Sequence, residues 1–451
     1  MAEKETQTGK TLIVGLGKTG LSCARHLAAQ GVSLAVTDSR KQPPGLAALR
    51  KDFPDTALFL GGFQAEVFRA ARQLVVSPGI PLDESLIQTA RRQGAEILGD
   101  VELFARAVDA PVVAITGSNG KSTVTTLLGE MARIAGVNVA VGGNLGEPVL
   151  DLLDDRVELY VLELSSFQLE RTRSLKPKAA VVLNVSPDHM DRYRDLDEYA
   201  ATKATLYANT EIMVINRDDP RVAAMADERA TMVGFTLDTP SGNDFGLHER
   251  DGVKWLSKGN TPMMPVSELR IPGRHNVANA LAALALGSAA GLSQNGMLAA
   301  LRSFSGLPHR TQWVADKQGL RWYNDSKGTN VGATVAALEG LHPEGGNSRS
   351  VLIAGGDCKG ADFTELAPVV EKTARAVILI GRDAPRLASV LAGHAKLAYA
   401  ATLEEAVTRA LELALPGDRI LLSPACASFD MFSSFEARGD AFVQAVEALP
   451  A

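Results

Sequence analysis

The sequence predicts an α/β protein in three units, each a mostly parallel sheet wound on both faces by helices. Three observations carry this. Short apolar runs and helix-length segments alternate through the first hundred residues, the rhythm of βαβ units. A glycine-rich turn, Thr116-Gly117-Ser118-Asn119-Gly120-Lys121-Ser122-Thr123, joins the apolar run 112–115 to a helix-compatible run, 124–135. The alternation then returns after a hairpin around Gly319. The expected units are 1–98, 99–306 and 307–451: a Rossmann-like N-terminal sheet, a central P-loop ATPase α/β domain and a Rossmann-like C-terminal domain.

In the first unit, 11–14, 33–37, 58–60, 74–76 and 96–98 read as strands, and 21–30 and 83–93 as helices stopped by Gly31 and Gly94. The first turn, Gly15-Leu16-Gly17-Lys18-Thr19-Gly20, is a full GxGxxG, and Asp38 ends the next strand. Glycines there let a pyrophosphate approach the backbone, and the acid suits a ribose hydroxyl. A nicotinamide dinucleotide and a UDP-sugar both carry a diphosphate and a ribose, so both fit. Glycines serving only helix–strand packing would give the same pattern. Ser77-Pro78-Gly79 would form a second loop at the same sheet edge.

In the middle unit, the 116–123 turn is a phosphate cradle. Backbone N–H groups converge on oxygens, and the helix N-terminus adds partial positive charge. Lys121 would reach the terminal phosphates of ATP, and the Ser122 hydroxyl would ligate Mg²⁺. The motif is shortened, because Ile115 stands where the usual first glycine would and Gly117 takes that role. Strands at 137–141, 159–162 and 179–185 follow. Glu163 and His189 come just after the second and third, and ligand crevices in parallel sheets lie at strand carboxyl ends. On residue type alone, Lys203 in the 196–208 helix reads as a surface lysine. Asn276 and Asn279, three apart in the first turn of an Ala/Leu-rich helix, read equally as an exposed amide pair or as base and ribose contacts.

In the third unit, strands at 351–354, 377–380 and 420–422 alternate with helices at 365–374, 384–391 and 403–413. Lys359 follows the first strand, and Ser423-Pro424-Ala425-Cys426-Ala427-Ser428-Phe429-Asp430 follows the last.

Composition narrows the classes. Net charge is −6 over 451 residues, without the basic footprint that phosphate backbones demand, so no nucleic-acid partner is expected. No apolar run is long enough to span a bilayer and no secretory h-region opens the chain, so a cytoplasmic enzyme is expected, with no membrane insertion. Cys23, Cys358 and Cys426 are too few and scattered for a disulfide framework or a zinc site. Cys426, without a His or basic neighbour, reads as a buried structural thiol.

With TGSNGKST, Glu163-Leu164-Ser165-Ser166, Asp188-His189-Met190-Asp191, Gly273-Arg274-His275-Asn276, Pro308-His309-Arg310 and Asn324-Asp325-Ser326-Lys327 in this order, the chain resembles the Mur ligases of peptidoglycan synthesis. The likeness runs from Gly15 to beyond Gly439. GLGKTG and SPACASFD look most like members that act on UDP-N-acetylmuramoyl-L-alanine and D-glutamate. The resemblance implies an ATP-dependent amide ligase working through an acyl phosphate. It implies that Gly117, Ser118, Asn119, Gly120, Lys121, Ser122, Thr123, Asn276, Arg310 and Asp325 hold ATP. Catalysis would fall to Lys121, His189, Lys203 and Arg310. Two Mg²⁺ ions are implied, on Ser122 and Glu163 and on His189 and a carbamylated Lys203. Leu16, Thr19, Asp38, Ser39, Arg40 and Gly79 would hold UDP, with Asn144 and Gln168 at the muramoyl-alanine end. Lys327, Thr329, Lys359, Ser423 and Phe429 would form the D-glutamate pocket. A monomer whose third unit closes onto the second is expected. An oxidoreductase would leave the second phosphate loop idle, and a nucleotide switch would leave the paired metal ligands unexplained.

Overall fold

The computed structural model describes residues 10–227, 229–271, 273–342 and 347–450; the ends of the expected outer units, 1–9 and 451, lie outside them. The first sheet holds β1 (Lys10–Val14), β2 (Leu34–Asp38), β3 (Ala57–Leu60), β4 (Ala71–Val76) and β5 (Glu96–Leu98), in the order β3-β2-β1-β4-β5. All its pairings are parallel. The chain steps outward from β1 to β3 and then crosses to the other side of β1. The switch point therefore lies between β1 and β4, where the GxGxxG turn and the Ser77 loop emerge side by side. The Ser77 hydroxyl donates to the Gly15 carbonyl at 3.0 Å. A Cβ on Gly20 would lie 2.0 Å from that same carbonyl oxygen, so Gly20 is required by packing, whatever else the turn does.

The middle sheet contains β6 (Val112–Thr116), β7 (Val139–Gly143), β8 (Leu159–Glu163), β9 (Ala179–Val182), β10 (Ile212–Asn216) and β11 (Thr231–Phe235). It continues with β12 (Phe245–Arg250), β13 (Val253–Lys258) and β14 (Thr261–Pro265), ordered β14-β13-β12-β11-β10-β9-β6-β8-β7. β6 is buried along its whole length, as a central strand covered on both faces must be. The helix Arg274–Ala290 is apolar nearly all round and runs through the core against the helix Lys121–Ile134. An antiparallel β12–β13–β14 edge extends this sheet, with Asp251-Gly252 turning the chain between β12 and β13. Both turn residues have positive φ, 54° and 74°, as a tight hairpin requires.

The third sheet comprises β15 (Gln312–Lys317), β16 (Leu320–Asn324), β17 (Ser350–Gly355), β18 (Ala374–Ile380), β19 (Lys396–Tyr399) and β20 (Arg419–Leu422), ordered β15-β16-β20-β17-β18-β19. One apolar cluster, including Ile13, Val36, Leu98, Val101, Phe104, Ala114, Tyr160 and Leu162, is continuous across the first two sheets. The first and middle units therefore share a core.

Two boundaries shift for a reason that bears on the site. The 179–185 strand stops at Val182, because the next residues turn their backbone to the phosphate loop. Ser118 N–H donates to the Asn184 carbonyl at 3.0 Å, and Ser186 N–H to the Ser118 hydroxyl at 3.0 Å. The 124–135 helix begins instead at Lys121, which places Lys121 and Ser122 in its first turn. The cysteine expectation is also corrected. Cys358 and Cys426 are disulfide-paired, with Cα atoms 4.5 Å apart, because the loops after β17 and β20 run side by side and bond through Asp357 and Ala427. Cys23 is free and buried.

Candidate functional site

β6 is the switch point of the middle sheet, with β8 on one side and β9 on the other. The phosphate loop leaves β6 between Glu163, the last residue of β8, and the Asn184–His189 loop after β9. Gly117 and Gly120 carry positive φ, 150° and 84°. A Cβ on Gly120 would come 2.5 Å from Asn279 Oδ1, so this glycine answers both a backbone and a packing demand. Lys121 Nζ donates to the carbonyls of Gly117 and Ser118 at 2.8 and 2.9 Å, curled over the cradle that phosphate oxygens would fill. Burial lowers its basicity, and Glu163 and Asp188 oppose that fall.

The Ser122 hydroxyl donates to Glu163 Oε2 at 2.6 Å. Glu163 Oε1 accepts from Asn144 Nδ2 at 2.7 Å. From the third unit, Arg310 Nη2 donates to the Ser122 oxygen at 2.6 Å. Further along, Asn119 and Asn330 exchange amide hydrogen bonds at 3.4 and 3.2 Å, and Asn330 Nδ2 reaches Asp188 at 3.4 Å. The third unit is thus seated on the phosphate loop. Ser122 and Glu163 give adjoining hard oxygen donors of the kind Mg²⁺ takes. Among the described residues no cluster of three or more His, Cys, Asp or Glu forms a ready-made metal cage. An ion here would complete its shell with water and phosphate, as Mg²⁺ commonly does.

Two cavities flank this point. One of about 550 Å³ is lined by Lys121, Ser122, Asn144, Glu163, His189, Arg310, Lys327, Thr329 and Lys359. The other, of about 310 Å³, is lined by Asn119, Gly120, Thr123, Asn276, Asn279, Arg310 and Asp325, with Phe235 as an apolar wall. The asparagine alternative resolves toward the cavity: both side chains are buried, and Asn279 Nδ2 donates to Asn276 Oδ1 at 3.1 Å.

Lys203 corrects the surface-lysine reading. It is 1 % exposed, with Nζ 4.3 Å from the Tyr199 ring centroid and 3.0 Å from the Gly117 carbonyl it donates to. It stands behind the phosphate loop and is not in the lining of the larger cavity. Burial, reinforced by the Lys121 charge, drives its basicity well down, favouring the neutral amine. His189 has φ 56°, and its ring packs 4.9 Å from Phe167. Burial lowers its basicity too, against the pull of Asp188.

Two expected ligand contacts are otherwise engaged. Gln168 closes a capping box with Ser165 and donates from Nε2 to Asp100 Oδ2 at 3.0 Å, so its amide is already bonded within the protein. The Ser423 hydroxyl is fully buried and donates to Asp325 Oδ2 at 2.7 Å. Phe429 is 67 % exposed, its ring centroid 5.8 Å from Lys359 Nζ. Lys327 Nζ lies 4.0 Å from the Phe435 ring centroid, and burial, with Arg310 and Lys121 nearby, brings its pKa to about 8. In the first unit, Asp38 is 1 % exposed and accepts from the Leu16 N–H and from Arg40. Burial alone would raise its pKa, but these bonds hold it at about 2. A Cβ on Gly79 would meet nothing within 4 Å, so the loop there is open. Thr19 and Ser39 border the same edge.

Sequence reasoning missed Asn330, Asp188, Tyr199 and Arg171 as parts of this neighbourhood. Asp188 opens the Asp188-His189-Met190-Asp191 motif, though no role was given to it, and Arg171 follows Glu163-Leu164-Ser165-Ser166 by five positions. Nothing in spacing marks Asn330, whose partner Asn119 is 211 residues away, whereas Tyr199 precedes Lys203 by four residues on one helix face, a spacing open to reading.

The comparisons agree along the whole chain. Sequence models of the Mur ligase MurD-like N-terminal domain, the Mur ligase middle domain and the Mur ligase glutamate ligase domain match residues 9–99, 115–287 and 309–426. The chain is 57 % identical over 437 residues to a UDP-N-acetylmuramoylalanine–D-glutamate ligase of Nitrosococcus oceani, covering 97 % of this chain and 96 % of that one. The protein of the same name from Methylobacillus flagellatus is 54 % identical over 441 residues, with the same coverages. Among solved structures, the UDP-N-acetylmuramate–alanine ligase of Thermotoga maritima superposes with TM-score 0.61 at 19 % identity, covering 97 % of this chain and 99 % of that one, a likeness of fold.

Proposed function

The chain belongs to the Mur ligase family, and from that premise we infer that it joins D-glutamate to UDP-N-acetylmuramoyl-L-alanine at the expense of ATP, in peptidoglycan precursor synthesis. The observation that carries the reading is the Arg310–Ser122–Glu163 chain of contacts. It sets a fixed cation and an oxygen donor pair at one point between the two cavities.

The muramoyl-alanine carboxylate attacks the γ-phosphorus of ATP, ADP leaves, and an acyl phosphate forms. The amine of D-glutamate then attacks the acyl carbon, and phosphate leaves with formation of the amide. The first step brings anions together, so the protein's work is alignment and charge neutralisation. Lys121 and Arg310 supply positive charge, and Lys121 exchanges its loop carbonyls for phosphate oxygens when ATP enters. Ser122 and Glu163 would hold Mg²⁺, which neutralises the β- and γ-phosphates. Asn276, Asn279 and Asp325 line the adenosine side. Lys327, Thr329 and Lys359 face the amino acid, the two lysines answering its two carboxylates. Ser423 acts from behind, through Asp325. Leu16, Thr19, Asp38, Ser39, Arg40 and Gly79 receive UDP, and Asn144 faces the muramoyl end.

Carbamylation of Lys203 requires a neutral amine, and its burial beside Lys121 favours one. The carbamate would share a second Mg²⁺ with His189. The units 1–98, 99–306 and 307–451 each carry one substrate, and the contacts of Asn330 and Arg310 with the phosphate loop support a closed working state that shields the acyl phosphate from water. The active species is a cytoplasmic monomer. Phosphate release from ATP tests the reading: it should demand both UDP-N-acetylmuramoyl-L-alanine and D-glutamate. Release with L-alanine, lysine or meso-diaminopimelate in place of D-glutamate would reassign the substrate.

A further inference from the structure

Arg171 is a buried cation that no step above uses. Its side chain is 0 % exposed, and it follows the short helix Ser166–Leu169 that opens just after Glu163. Nη2 donates to the Ile80 carbonyl of the first unit, and Nη1 to the Phe167 carbonyl of the middle unit. Its ion-pair partner, Glu170, is 3.3 Å away, while Nε has no hydrogen-bond partner. Each carbonyl belongs to a functional segment. Ile80 ends the loop Ser77-Pro78-Gly79-Ile80 at the switch point of the first sheet, held to the GxGxxG turn by Ile80 N–H bonding to Ser77 O at 3.0 Å and Ser77 Oγ to Gly15 O at 3.0 Å. Phe167 packs its ring 4.9 Å from His189 and stands four residues after Glu163. Beside it, Gln168 is tied to Asp100 at 3.0 Å, and a Cβ on Gly99 would fall 3.1 Å from Arg171 Cβ. The missing Gly99 side chain thus leaves the space beside the Arg171 stem.

We propose that Arg171 is a positioning residue that fixes the distance between the diphosphate-binding loop of the first unit and the Glu163–His189 face where the carboxylate meets ATP. This rests on the reading given under Proposed function. A substrate anchored at one end by its uridine diphosphate must present its far carboxylate in line with the γ-phosphate, and a displacement of about 1 Å there costs about 10²-fold in rate. A shared apolar core resists separation of the two units but tolerates sliding, because dispersion contacts have little direction. A planar fork bonded to one carbonyl on each side fixes direction as well.

The test is steady-state kinetics on Arg171→Met, Arg171→Gln and Arg171→Lys, with ATP affinity and thermal melting measured alongside. The proposal expects Arg171→Met to lower kcat/KM for the UDP-muramoyl substrate by about 10²-fold, with KM for that substrate raised, while ATP affinity and KM for D-glutamate stay within about twofold. Arg171→Lys, able to reach one carbonyl at a time, should fall between. A purely structural role would scale kcat with the folded fraction and leave all three KM values alone, and that result overturns the proposal. So does an equal rise in all three. If Arg171→Met does not fold, Arg171→Gln and Arg171→Lys are judged by the same criteria. Wild-type enzyme without substrate-dependent phosphate release would instead defeat the functional reading itself.

Discussion

Arg310 Nη2 lies 2.6 Å from the Ser122 hydroxyl, a contact between residues 188 positions apart in the chain. It joins the third unit to the first turn of the phosphate-loop helix, at the oxygen that also bonds Glu163. On the proposed mechanism, metal binding and charge neutralisation meet at that atom.

Replacing Arg310 by Ala should therefore lower kcat by about 10²–10³-fold, the usual effect of removing a preorganised group from developing negative charge. Arg310→Lys should recover part of it, since a point charge cannot reproduce the fork. ATP affinity by calorimetry should change far less than kcat. A loss confined to ATP affinity would mean that Arg310 only binds nucleotide.

Lys203→Arg should abolish phosphate release, and added bicarbonate should not restore it, because a guanidinium stays protonated and forms no carbamate. In the wild type, removing dissolved CO₂ should lower activity reversibly. Full activity of the arginine variant would remove the carbamate from the scheme.

The pKa of Lys327, about 8, sets a pH dependence for the amino-acid substrate. Above that value the ammonium is lost and a carboxylate partner with it. KM for D-glutamate should climb from pH 7 to 9.5, while Lys327→Arg stays flat across the range because arginine titrates above about 12. Parallel profiles for the two enzymes would assign the dependence to another group.

Burial raises the Asp325 pKa from 3.8 to about 6, against the bonds from Ser423 and Thr311. Between those values the folded state keeps a proton that the unfolded state has released. The contribution is fully present below the unfolded pKa and is lost as pH rises through the folded one. Urea unfolding between pH 4 and 7.5 should show Asp325 costing about 3 kcal/mol across that window. Asp325→Asn should lack that part of the slope, and an unchanged slope would refute the assignment.

Much of this molecule was legible in local sequence. Turn chemistry announced itself at Gly15–Gly20 and at Gly117–Ser122, because glycine is used where backbones close up or φ turns positive. The switch-point rule then sent Glu163, His189 and Lys359 to strand ends facing the cavity. Lys203 was misread because the carbonyl it donates to, that of Gly117, lies 86 residues away in the chain, although Tyr199, four residues before it on the same helix, was near enough to hint at a covered site. Ser423 and Gln168 bond to Asp325 and Asp100, partners 98 and 68 positions away that local sequence does not reveal. The Cys358–Cys426 pair was hidden by 68 residues of intervening chain.

The sequence by itself determined the three α/β units, the phosphate loop and the family, since hydrophobic period, glycine placement and motif order are all written along one dimension. Only the tertiary structure decided which polar groups face ligand and which brace one another, and how Arg310 and Arg171 bridge units. Those outcomes depend on hydrogen-bond geometry and desolvation between residues that meet only when the sheets pack, and spacing along a chain carries no information about either.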